Sequence, residues 1–275
     1  MKQLAVALLF ASIAGAQALP AGVVYWPKGV PPATALKAEL GDHILSTSVH
    51  DGKPGVAESH TLKDDVFLIQ SGSSDFVVGG KTTGEHAIAP NELQYASLQG
   101  GTKVHLEAGD VITIPAGMPH QYLTAPGEKI VYFVLKVVKT TPVATPAKQQ
   151  AGLPTGVLHW KNGIAPEGLS HRADFGDHIL YRAHRDKSGV VAFHEKQDDV
   201  LIMEKGEADI LVGGTAAGLH ATKPGEQEGT AINGATKVHL GPGDVITVPA
   251  KMPHQMLLQP GATLDYFIMK IVKPA

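Results

Sequence analysis

Long stretches of this chain are written twice. GDHIL at Gly41 to Leu45 returns at Gly176 to Leu180, and GDVITIPAGMPHQ at Gly109 to Gln121 returns as GDVITVPAKMPHQ at Gly243 to Gln255. Most of the residues between them follow at an offset of 134 or 135 positions. A duplication constrains the fold strongly, because each half must build the same unit. It also separates positions kept in both copies from positions that drifted, and the kept set includes histidines and carboxylates.

Inside each copy the apolar residues come in short runs bounded by Gly, Pro and Asp. VFLIQSG, DFVVGG, KVHLEAGDVITIP and KIVYFVLKVV in the first copy have close counterparts in the second. Runs of this length, rich in Val and Ile and spaced by turn residues, predict an all-β sandwich or barrel rather than βαβ units. Val66 to Ile69 and Val200 to Met203 are apolar at every position, so both faces of that strand should be covered. One cover would be the barrel interior. The other would be a second sheet, from the sister copy or from another subunit.

The break between copies is TPVATPAKQQAGLP, Thr141 to Pro154, whose three prolines read as a semi-rigid spacer. The segments entering each copy also correspond, so Trp26 and Trp160 are equivalent and are expected to pack rather than to bind. At the N-terminus, Lys2, an apolar run from Leu4 to Ile13 and Ala16-Gln17-Ala18 have the order of a secretory signal with its cleavage site. That run is too short to span a bilayer. The expected organisation is a signal peptide over 1–18, a first domain over 19–140, a linker over 141–154 and a second domain over 155–275, in a secreted or periplasmic protein.

With no cysteine, thiol catalysis, thiolate metal sites and disulfide support are excluded. A formal charge of -3 gives no electrostatic reason to expect nucleic acid or an anionic membrane as partner. No phosphate-binding glycine loop or serine nucleophile elbow occurs.

In the first copy His60 is followed by Asp65 and, after six residues, by Gly72; Gly109 is followed by Pro115, Gly117 and His120. The second copy gives His194, Asp199 and Gly206, then Gly243, Pro249 and His254, with Lys251 in place of the motif glycine. Thirty-six residues separate Gly72 from Gly109, and 36 separate Gly206 from Gly243. This pattern resembles the cupin superfamily, whose motifs are written G(x)5HxH(x)3-4E(x)6G and G(x)5PxG(x)2H(x)3N. The resemblance covers both copies and implies two tandem double-stranded β-helix (jelly-roll) barrels, a bicupin.

The resemblance also implies a metal site. An HxH pair aims two ligands to one side of a strand, and a carboxylate and a third histidine close the set. Here the first histidine of the pair is Glu58 in one copy and Ala192 in the other, and the usual glutamate is aspartate in both. The first copy offers Glu58, His60, Asp65 and His120 to a divalent transition metal such as Mn, Fe, Zn, Ni or Cu. The second offers only His194, Asp199 and His254, a weaker set. The competing expectation is a hydrogen-bonded polar cluster with no ion.

Six histidine pairs are kept: His43 with His178, His50 with His184, His60 with His194, His86 with His220, His105 with His239, and His120 with His254. His105 alternates with Val104 and Leu106 and should face outward. His50 and His184, near a turn, read as solvated, although one of them or Tyr122 could act as acid or base beside an ion. His86 and His220 lie in long connections that suit lids, binding loops or subunit contacts. Asp64 and Asp198 are expected to cap turns or support the ligands, and Asp110 and Asp244 to be structural.

Function divides into three classes. The first is an exported metal-dependent enzyme acting on a small oxygen-rich molecule, by oxidative cleavage, decarboxylation, isomerisation or lyase chemistry. The second is a non-catalytic bicupin that binds a small ligand without metal. The third, a storage protein like the seed bicupins, fits the short linker and the composition less well. A homo-oligomer is compatible with each.

Overall fold

The computed structural model describes residues 18–31, 37–139, 150–165 and 171–273. The predicted signal peptide, apart from Ala18, and most of the predicted linker lie outside them. Among the described residues the regular structure is β, relieved only by two 3-10 turns, Pro27–Gly29 and Lys161–Gly163.

Each half folds as a jelly roll of two opposed antiparallel sheets, the tandem arrangement that the motif resemblance implies. In the first, His43–Asp51, Lys129–Val138 and Lys63–Val78 lie side by side, and the long strand Lys63–Val78 continues into the opposing sheet with Thr102–Glu107 and His120–Tyr122. In the second, Gln197–Lys205 and Ala208–Val212 are the two arms of the equivalent strand. The bend falls at Gly72 (φ 75°) and Gly206 (φ 83°). A Cβ there would lie 1.8 Å from the Lys129 carbonyl oxygen or 2.0 Å from that of Thr263, so the motif glycine is required by backbone contact.

The all-apolar run divides as its pattern predicts. Phe67 and Ile69 point into the first barrel, while Val66 and Leu68 join a core shared with the other half; Leu201 and Met203 divide from Val200 and Ile202 in the same way. The second cover is therefore the sister copy. The shared core contains both tryptophans, each at most 2% exposed, with Trp26 edge-on to Phe133 and Trp160 against Phe267.

The entry segments are exchanged. Tyr25–Trp26 adds to Val245–Val248 of the second barrel, and Leu158–Trp160 adds to Val111–Ile114 of the first. Asp110 and Asp244 hold the exchanged segments: Asp110 accepts from the Asn162 backbone N–H and contacts His159, and Asp244 accepts from the Lys28 backbone N–H and the Tyr25 hydroxyl. Two related ion networks also cross between the halves. Lys139 joins Asp64 to Asp177, and Lys273 joins Asp198 to Asp42. His43 and His178, both buried, face Asp42 and Asp177 at 2.7 Å.

Candidate metal centre and its counterpart

The strand pair Ala57–His60 and His120–Tyr122 is in register with His120 opposite Glu58, and Lys63–Val78 brings Asp65 alongside. The four predicted residues of the first barrel converge. Asp65 Oδ2 lies 3.3 Å from His60 Nε2 and 3.5 Å from His120 Nε2, while Glu58 Oε1 lies 3.9 and 3.7 Å from the same nitrogens. Transition metals take N and O ligands at about 2.0–2.2 Å, which sets neighbouring donors roughly 3–3.6 Å apart. The aspartate, one methylene shorter than the motif glutamate, is the nearer carboxylate.

Two supporting groups were missed by the motif reading. Glu92, from the long connection, accepts from His60 Nδ1 and pairs with Lys63. Lys136 stands opposite Asp65 in the sheet and donates to Asp65 Oδ1 at 2.9 Å and to His60 Nε2 at 2.7 Å. Both recur: Glu226 accepts from His194 Nδ1 at 2.5 Å, and Lys270 donates to Asp199 Oδ1 at 2.7 Å and His194 Nε2 at 2.9 Å. Their survival in both copies was the available signal. The expectation of lids or subunit contacts for the long connections overlooked a carboxylate that orients a candidate ligand.

These contacts set which lone pairs face inward. His60 gives its Nδ1 proton to Glu92, and His120 gives its Nδ1 proton to the Met118 carbonyl at 3.0 Å, so each Nε2 presents a lone pair to the centre. Lys136 occupies that of His60. Asp65 pulls the His60 imidazole above its usual pKa against the effect of burial, yet an ammonium at 2.7 Å needs a lone pair on Nε2, so the neutral ring satisfies both nitrogens. His120 Nε2 and Asp65 Oδ2 are buried with no hydrogen-bond partner. Burial would raise Asp65, but Lys136, His60 and His120 more than offset it and hold the carboxyl far below its ordinary range. Two carboxylates, Glu58 and Asp65, face one ammonium. An acceptor-rich set with this charge fits a further cation, which would compete with Lys136 for His60 Nε2.

In the second barrel Asp199 Oδ2 lies 3.3 Å from His194 Nε2 and 3.4 Å from His254 Nε2. The three predicted residues therefore meet as well. Ala192 supplies no carboxylate, Asp199 pairs with Lys270, and Glu226 lacks the lysine that Glu92 has because Gln197 stands in place of Lys63. Lys251 takes the left-handed conformation (φ 64°) that Gly117 takes freely in the first copy.

The linings differ more than the motifs. Phe67, Phe76, Tyr122 and Tyr132 stack within the first barrel and leave a cavity of about 350 Å³. Leu201, Ile210 and Met256 replace three of these rings, and the second cavity is about 640 Å³. The Tyr122 hydroxyl is buried without a partner, and burial holds its pKa well above the ordinary phenol value.

The expectation for His50 and His184 is corrected. Strand register places His50 opposite Ile130 and Arg185 opposite Leu264, so the counterpart of His50 is Arg185, not His184. The turn after this strand is one residue shorter in the second copy, which shifts the offset. His50 is not a solvated turn residue; it lines the cavity 3.1 Å from the Tyr132 hydroxyl, and burial lowers its pKa. His184 is the exposed one and pairs with Asp265. His105 and His239 face outward as expected, each 2.9 Å from an aspartate, and His86 and His220 are exposed. Asp64 and Asp198 accept the backbone N–H of Ala116 and Ala250, tying the second motif to the inter-barrel lysines.

No family model matches the sequence, and a search of curated proteins finds no match. Among solved structures, AerE from Microcystis aeruginosa is 10% identical with a TM-score of 0.49, covering 86% of this chain and 91% of its own. Vicilin from Capsicum annuum is 13% identical with a TM-score of 0.49, covering 84% and 76%. A variant of oxalate decarboxylase from Bacillus subtilis is 11% identical with a TM-score of 0.47, covering 85% and 70%. Each half of the present chain is a jelly roll with a His, Asp, His set on its inner face, the architecture that the motif resemblance implies.

Proposed function

We propose that this chain is an exported metal-dependent enzyme whose working centre lies in the first barrel and acts on a small oxygen-rich molecule. Glu58, His60, Asp65 and His120 would hold one divalent transition metal. The supporting observation is the pair of buried, unpartnered acceptors, His120 Nε2 and Asp65 Oδ2, in a centre with one carboxylate more than it has ammonium groups. A divalent ion there supplies Lewis acidity toward a substrate oxygen.

The remaining chemistry belongs to the chain. Glu92 and the Met118 carbonyl fix the two imidazoles. The stacked aromatic wall excludes water and confines the substrate to a cavity of about 350 Å³. Tyr122, protonated at neutral pH, is placed to donate a hydrogen bond to a substrate oxygen, and His50 at the cavity wall is a neutral acceptor or donor. The domain limits 19–140 and 155–275, export of the chain, and assembly of copies through exposed strands such as His86–Ala89 are part of the same reading.

A second reading, non-catalytic ligand binding without metal, is favoured by Lys136, which already satisfies Asp65 Oδ1 and His60 Nε2. The two separate by experiment. Metal-reconstituted protein is assayed for turnover of a panel of small hydroxy acids, keto acids and sugars. The enzyme reading expects turnover that is lost on chelation and in Glu58→Ala and kept in His254→Ala. Saturable binding with no turnover of any panel member would establish the binding reading instead.

A further inference from the structure

We infer that the cavity of the second barrel is a binding site for a small organic carboxylate, recognised by Arg185, and is not a second copy of the metal centre. Two substitutions on different strands carry this. Glu58 in the first barrel is Ala192 in the second, which removes a carboxylate from the cavity wall. His50 is Arg185, which adds a guanidinium at the same place, on the same tyrosine: His50 Nε2 lies 3.1 Å from the Tyr132 hydroxyl, and Arg185 Nε donates to the Tyr266 hydroxyl at 2.6 Å. Both changes move the charge of the cavity in the positive direction. Three further differences, Gln94 to Glu228, Lys63 to Gln197 and Ala89 to Lys223, together take back one charge and leave the second cavity the more positive by one.

Arg185 is held for recognition rather than for stability. Its guanidinium lies 6.0 Å from the Tyr266 ring centroid, and among the described residues it forms no ion pair. Arg182, three residues earlier, shows the ordinary alternative on the outer face, paired with Glu204 at 2.6 Å and Asp265 at 3.7 Å. A half-buried guanidinium with no carboxylate at ion-pair distance presents a fork of donors suited to a carboxylate, in a cavity where Arg172, Arg185, Lys223 and Lys270 outnumber Asp199, Glu226 and Glu228. Behind it, Asp199 is paired with Lys270 at 2.7 Å, and no second carboxylate stands where Glu58 does in the first barrel. Loss of three aromatic rings opens the cavity to about 640 Å³, within the range of small-ligand sites, against about 350 Å³ in the sister barrel.

The test is calorimetric titration of succinate and of citrate into chelator-treated, dialysed full-length protein at low ionic strength, with glycerol as the uncharged control. One equivalent of at least one of the two anions is expected to bind per chain, with glycerol silent. Affinity should fall at least tenfold in Arg185→Gln and in Ala192→Glu, fall less in Arg185→Lys, and stay unchanged in His50→Ala. Thermal unfolding of each variant checks that it is folded, and Ala192→Glu tests the site without touching the arginine. Absence of saturable binding by both anions, equal binding in Arg185→Gln and Ala192→Glu, or loss confined to His50→Ala would overturn the proposal. Because the protein is metal-free throughout, the outcome is independent of the metal centre in the first barrel.

Discussion

The two barrels share a frame and part company in their cavities. Each keeps histidine, aspartate, histidine, an inward lysine and a glutamate behind the first histidine. Each also keeps the tryptophan and the ion network that join it to its sister. Among the differences, a group faces the cavity: Glu58 against Ala192, His50 against Arg185, three aromatic rings against Leu201, Ile210 and Met256. The physical reason is contact. Trp26, Trp160, Lys139 and Lys273 touch both copies, so a change there disturbs both halves, whereas Glu58, His50 and the aromatic lining answer only to what binds in their own barrel.

That comparison breaks most visibly if the frame is unequal. Trp26→Ala and Trp160→Ala should each cost about 3–5 kcal/mol in urea unfolding, because each removes a fully buried ring from the shared core. One costly and one silent substitution would mean that the halves do not share a core as described.

A smaller effect comes from the crossing ion networks. Asp42 and Asp177 are each held at about 2, since burial would raise them but His43 with Lys273, and His178 with Lys139, more than offset it. Their folded values lie below the ordinary 3.8, so this stability is present above pH ~4 and disappears as pH falls through about 2, with each group contributing on the order of 2 kcal/mol. Lys139 and Lys273 are raised above 10.5, so their contribution is present below that value and fades at higher pH. Unfolding followed across pH in wild type and in Lys139→Met and Lys273→Met should show the acid-side loss shrink similarly in both variants. An unchanged acid limb in either would remove that network from the account.

The smallest effect sharpens the difference between cavities. Glu92→Gln should weaken metal binding about tenfold by loosening His60, while Glu226→Gln should leave metal content unchanged. Equal effects would make the two centres equivalent.

Much of this was legible in the repeated motifs. The all-apolar run announced strands covered on both faces, and Glu58, His60, Asp65 and His120, named from the cupin resemblance, meet in space. Lys136 and Glu92 were not named, because the motif reading sought ligands and neither a lysine nor a residue of a long connection belongs to that pattern. Arg185 was hidden by a one-residue change in turn length, which paired His50 with the wrong partner until strand register was known. Exchange of the entry segments left no local mark, since a short strand reads the same whichever sheet it joins.

The central claim is that a duplicated frame carries one metal centre, not two. Metal content measured on gently purified wild type, His120→Ala and His254→Ala tests it most directly. The account predicts about one divalent ion per chain in wild type and in His254→Ala, and none in His120→Ala. Two ions per chain, no ion at all, or equal losses in the two variants would contradict it.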